Sequence, residues 1–207
     1  MFIPAPQKPI RVKPRFLTLA RISTHAGICL WAVCYFYQAF TGALPGDPVQ
    51  ALLDFTGIGA LNLLLISLVV SVLSQHLKFS QLMRFRRTFG VYAAVYGLLH
   101  LSTFIAFELQ FEWALVAKEI VSRPYILLGF TGLLLLLALL VTSINSIKKR
   151  MGPSWQKLHN WVYLALILVN VHFIWSTKSI DLQAIIYASL STIVLLSKRK
   201  KIIRIFK

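Results

Sequence analysis

The chain has 207 residues, with 22 Lys+Arg against 6 Asp+Glu and a formal net charge of +16. It is 57% hydrophobic and only 14% charged, where a soluble domain carries about 25% charged residues. This balance argues against a soluble enzyme, a basic nucleic-acid binder and a disordered basic tail, and two cysteines exclude a disulfide scaffold or a cysteine-based metal site.

The remaining class is an all-α integral membrane protein with its charge confined to loops. Residues 1–21 read as a basic arm, made flexible at its start by Pro4, Pro6, Pro9 and Pro14. A bilayer crossing needs about 20 apolar residues. Six segments meet that need in chain order: 22–40, 57–75, 90–107, 125–144, 158–175 and 182–197. The first has a long leader and full spanning length, so it reads as a span and not as a cleaved signal. The fifth is the least apolar, because it carries two histidines and an asparagine. Between the third and fourth, 109–123 is too charged to span and is expected along the outer surface, as a partner-docking segment or a plain interfacial loop. Residues 198–207 form a basic tail. No repeat at a fixed period stands out.

The loops orient these spans. Nineteen basic residues and no acid fall in 1–21, 78–87, 148–157 and 198–207; the other side holds Lys118, Arg123 and Lys178 with all six acids. The bias of Lys and Arg predicts a six-helix bundle with both termini in the cytoplasm.

Ionisable groups inside spans are costly and point to function. His25, His100, His159 and His172 lie at helical positions, whereas His76 lies in a basic loop. No Asp, Glu or Lys sits mid-span, which weighs against a proton or cation transporter. Neutral imidazole without carboxylates suits haem iron. On the outgoing third and fifth spans, His100 and His172 fall at similar outer depth. His159 lies at the inner edge, 13 residues and about 20 Å before His172. Gly90, Ala93 and Gly97 on the His100 stripe, and Ala165 and Val169 on that of His172, leave room for a flat macrocycle. The alternative is that these small residues and histidines serve helix packing. In a straight helix His159 would point about 140° away from His172. Either the fifth helix is distorted, near Asn170 for example, or His159 faces something else. Cys29 and Cys34 read as packing residues.

Gly46-Asp47-Pro48-Val49, Phe55-Thr56-Gly57, Arg84-Phe85-Arg86-Arg87, Leu99-His100-Leu101, Ser122-Arg123-Pro124-Tyr125 and Trp155-Gln156-Lys157-Leu158-His159-Asn160 occur in that order. Over about residues 20–200 the chain resembles the MsrQ (YedZ) family, the haem-binding membrane subunits of periplasmic methionine-sulfoxide reductase systems. More distantly it resembles the ferric-reductase transmembrane domain of NADPH oxidases. The resemblance implies a multi-pass protein of the bacterial inner membrane that binds haem b and FMN. Electrons would come from the quinone pool or a cytosolic flavin reductase. They would pass to a periplasmic molybdopterin-containing methionine-sulfoxide reductase subunit that repairs oxidised proteins, so catalysis is expected on the partner.

The family's haem histidines carry over to His100, His159 and His172. Arg87 stands where the wider superfamily has a further histidine. Arginine has no lone pair for iron, but it can pair with a haem propionate or a flavin phosphate. The outer site is therefore complete with His100 and His172, while His159 and Arg87 mark an inner cofactor region to which His25 is a candidate contributor. Two other readings stay open: a quinol-oxidising haem-b anchor for a different periplasmic oxidoreductase, and a non-redox transporter or structural membrane protein.

Overall fold

A computed structural model describes residues 12–177 and 182–203. Lys8, Arg11, Lys178, Asp181, Arg204, Lys207 and the first three prolines of the arm lie outside the described residues. Ten α-helices and no strand occur among the described residues. They are α1 (Pro14–Phe40), α2 (Pro48–His76), α3 (Met83–Thr103), α4 (Trp113–Ser122) and α5 (Pro124–Thr142). The others are α6 (Asn145–Met151), α7 (Pro153–Asn160), α8 (Val162–Ser176), α9 (Leu182–Ser197) and α10 (Arg199–Ile203). Five stretches are long and apolar enough to cross a bilayer: α1, α2, Ser80–Glu108, α5 and Pro153–Ser176. The segment expected as a sixth span forms α9, an apolar helix of 16 residues.

Helix starts lie outside the apolar windows wherever capping chemistry extends them. Pro14 opens α1, ahead of the expected start at 22, because the missing N–H of proline costs nothing in a first turn. Asp47 accepts the Val49 N–H at 2.8 Å and Pro48 follows it, so α2 begins well before 57. Those added turns carry Gln50 and Asp54, which hydropathy alone leaves out. The 109–123 segment is helical over α4, with Val116 buried and Trp113 and Val121 exposed. Between α3 and α4, a π-helical turn spans Phe104–Glu108.

Two antiparallel hairpins form the centre. Helix α2 packs on α3, and α5 packs on α8. Leu61, Leu64 and Leu68 of α2 are almost fully buried with Ala93 and Ala94 of α3 and Ala165 and Leu166 of α8. The alanines let the backbones approach closely, as membrane helix interfaces require. By contrast, α1 is nearly all exposed. Only Leu17 and Ala39 are buried on it, while Phe16, Leu30, Trp31 and Phe40 point outward. Such a face is stable against lipid and would be an aggregation hazard in water.

Polar side chains fix α9 to this centre. Tyr187 donates to Asn62 Oδ1 at 2.8 Å, and Asn170 Nδ2 donates to Ser191 Oγ at 2.5 Å and the Tyr187 carbonyl at 3.2 Å. Lys198 Nζ donates to Gln75 Oε1 at 2.6 Å near the C-terminal end of α2. Asn170 thus holds α9 from within a continuous α8. Replacing Asn170 with leucine should cost about 1–2 kcal/mol, read as a lower thermal midpoint in detergent; an unchanged midpoint would show that this network does not hold α9.

Candidate functional site

The two hairpins bring His100 of α3 and His172 of α8 together. Their ring centroids are 6.2 Å apart and the rings are 76° from parallel. His100 Nδ1 is 3.0 Å from the Leu53 carbonyl of α2, and His172 Nδ1 is 2.6 Å from the Tyr125 carbonyl of α5. A carbonyl can only accept, so both Nδ1 atoms carry the proton and both Nε2 atoms keep a lone pair. This is the arrangement that orients metal-binding imidazole, with one nitrogen bonded to a carbonyl and the other presented to the ion.

Glycines make these approaches possible. A Cβ added at Gly57 of α2 would stand 3.0 Å from His100 Nδ1 and Cε1. One at Gly129 of α5 would stand 2.7 Å from His172 Nδ1. A larger residue at Gly129 would push the His172 ring off its carbonyl, and one at Gly57 would displace His100 by a few tenths of an ångström. Leu53 and Tyr125, Gly57 and Gly129, and His100 and His172 are each separated by 72 positions, and both Nδ1 contacts span 47 residues. The hairpins are therefore structural equivalents, although their side chains differ too much for a repeat to show in the sequence.

A cavity of about 720 Å³ surrounds the pair, within the range of organic cofactor sites. Leu61, Leu64, Leu133 and Leu136 line its apolar part. Gln50, Asp54, Glu108 and Arg123 line a polar part on the side of the α2 N-terminus. The residues fit haem. With a metal–imidazole nitrogen bond of about 2.0 Å, and about 1.1 Å from that nitrogen to the ring centre, two imidazoles on opposite sides of one ion would hold their centroids about 6 Å apart. The observed 6.2 Å is close enough for both imidazoles to be offered to one ion.

At the opposite end of the bundle, the other expected site residues have separate partners. His159 Nε2 lies 3.1 Å from Thr142 Oγ1, and its ring stacks on Trp155 with centroids 3.9 Å apart. The Trp155 ring also carries Lys148 Nζ 4.3 Å from its centre. The fifth span is broken at Trp161, between α7 and α8. The helix is continuous through Asn170, and His159 faces Thr142 and Trp155, the second of the two alternatives. Arg87 donates to Asn145 Oδ1 at 2.9 Å and to the Ser143 carbonyl. His25 of α1 meets the Tyr92 hydroxyl of α3 at 2.9 Å. The structure thus brings His100 and His172 together; Arg87 and His159 meet the adjacent residues Ser143 and Thr142 at the end of α5, while His25 lies apart on α1. Arg87 and His159 are themselves 72 positions apart, but their contacts differ: His159 bonds within its own hairpin, whereas Arg87 reaches across to the end of α5 and the start of α6.

Sequence reasoning missed the Leu53 and Tyr125 carbonyls and the roles of Gly57 and Gly129. The Gly-to-His spacing shared by the two halves was the available signal. It also missed Thr142 as a partner of His159, because that contact depends on how α7 folds back on the end of α5, and Trp155, although its place four residues before His159 on α7 was the available signal.

Residues 55–170 match the ferric reductase like transmembrane component family. Over 196 residues the chain is 38% identical to the protein-methionine-sulfoxide reductase heme-binding subunit MsrQ of Cronobacter sakazakii, covering 94% of this chain and 98% of that protein.

Proposed function

The chain belongs to the MsrQ family of multi-pass, ferric-reductase-like membrane electron-transfer subunits, and we propose from this that it carries electrons across a bacterial inner membrane through a haem b held by His100 and His172. The observation that carries the reading is the adjacent pair of imidazoles, each fixed through Nδ1 to a carbonyl of the opposite helix. Haem, when bound, supplies a one-electron carrier. The chain's residues hold the ligands in one tautomer, surround the ring with leucines, and keep one edge of the site near the polar end.

Both termini are proposed to face the cytoplasm and α9 to complete a six-span bundle, as the loop charges favour. The end with Asp54, Glu108 and Arg123 then faces the periplasm. There the proposed acceptor is a molybdopterin-containing methionine-sulfoxide reductase subunit. The basic end, with Arg86, Arg87, Lys148 and His159, is the proposed side of electron uptake from quinol or a cytosolic flavin reductase. FMN is assigned to that same inner region, where Arg87 and His159, with His25 nearer that end than His100 on the parallel α1 and α3, are the candidate contributors. A bilayer-reconstituted chain should reduce its haem when given reduced quinone or reduced flavin, and then pass electrons to the catalytic partner; no transfer from either donor would defeat the proposed route. His159→Ala should leave the His100–His172 haem band in place, since His159 bonds to Thr142 at the other end of the bundle. Loss of the whole band would instead make His159 a ligand of that same haem.

A further inference from the structure

Haem b is an apolar ring with two carboxylates on one edge. A cavity that is leucine-lined at one end and polar at the other takes such a ring with the carboxylates toward the polar end. Among the described residues lining this cavity, Arg123 is the one Lys or Arg. The carboxylates there are Asp54, whose Oδ1 already accepts the Gln50 amide at 2.8 Å, and Glu108.

Arg123 is also tied to the axial ligand. Its Nη1 donates to the Tyr125 hydroxyl at 3.3 Å. The Tyr125 ring lies within 20° of parallel to the His172 ring, with centroids 6.0 Å apart, and the Tyr125 carbonyl accepts from His172 Nδ1. On its other side, Arg123 Nε pairs with Glu119 Oε2 of α4 at 2.6 Å. With Nε and Nη1 so used, Nη2 still has donors for a further acceptor. The forked guanidinium suits a carboxylate in particular.

We propose that Arg123 receives a haem propionate and raises the reduction potential of the His100–His172 haem, with Glu119 as the counter-charge that tempers it. The proposal rests on the haem reading above. Reduction adds one negative charge to the site, so a cation at the propionate edge favours the reduced form and an anion beside that cation opposes it.

The test is a spectroscopic redox titration of the purified full chain in detergent with haem bound. Arg123→Gln should shift the reduction equilibrium toward the oxidised form by about threefold, since the half-exposed cation is screened by solvent, a fall of about 28 mV for a one-electron couple. Arg123→Lys should return the potential close to wild type, because it keeps the charge. Glu119→Gln should move the potential upward. Haem-loaded Arg123→Gln at the wild-type potential, or Arg123→Lys shifted as far as Arg123→Gln, would overturn the proposal. If Arg123→Gln retains no haem, Glu119→Gln decides: a rise supports the proposal, and no rise overturns it. A wild-type chain with no b-type band would defeat the haem reading itself, whereas a normal band with unmoved potentials defeats this inference alone.

Discussion

Alanine at His100 or at His172 should abolish the b-type haem absorption of the purified chain. Each imidazole would supply one of two axial bonds, and no second nitrogen stands ready to replace it. Histidine lies next to His172 only in the form of His100, its centroid partner at 6.2 Å, while His25 and His159 are engaged with Tyr92 and with Thr142 and Trp155. Loss of a hydrogen bond behind a metal ligand weakens metal affinity by about 10–100-fold, and loss of the ligand itself should exceed that range. Haem quantitation after purification reads the effect directly. A variant that keeps full haem content and an unaltered band would show that the replaced histidine does not bind the iron.

Gly129→Ala is expected to have the next largest effect, and Gly57→Ala a smaller one. Both residues sit where a histidine ring closely approaches the backbone of the opposite helix. The added Cβ would come within 2.7 Å of His172 Nδ1 at position 129 but 3.0 Å of His100 Nδ1 at position 57. The closer clash must push His172 away from the Tyr125 carbonyl, breaking the bond that fixes its tautomer. Ligand orientation is lost, with a fall in haem affinity of about 10–100-fold. At Gly57, a few tenths of an ångström of movement in His100 suffices, so part of the haem signal should remain. The ordering of the two variants, measured as haem retained on dilution, is the informative result. Equal retention by both, at the wild-type level, would mean that the close approach of helix and ring is unimportant.

The membrane class, the approximate spans and the pairing of His100 with His172 were legible in the sequence. Each depends on quantities that sequence carries directly: runs of apolar residues, the placement of Lys and Arg, and helical depth counted by residue number. What was not legible came from backbone atoms and from contacts between helices. The Leu53 and Tyr125 carbonyls leave no mark in residue identity. The early start of α2 depends on the Asp47 cap, which extends a helix through polar Gln50 and Asp54. Residue spacing showed that His159 could not point the same way as His172 in a straight helix. That the ring meets Thr142 needed three dimensions, whereas its stack on Trp155, four residues earlier on α7, follows from helical spacing. The equivalence of the two hairpins is hidden in the same way. It survives in glycine, histidine and carbonyl positions 72 apart, while the surrounding residues have diverged.

Electron paramagnetic resonance of the oxidised, haem-loaded chain tests most directly whether His100 and His172 bind one iron from opposite sides. Two imidazoles give a low-spin ferric ion. A single low-spin ferric signal that disappears in His100→Ala and in His172→Ala is the expected result. A high-spin axial signal in the wild-type chain, or a low-spin signal that survives both replacements, would contradict it.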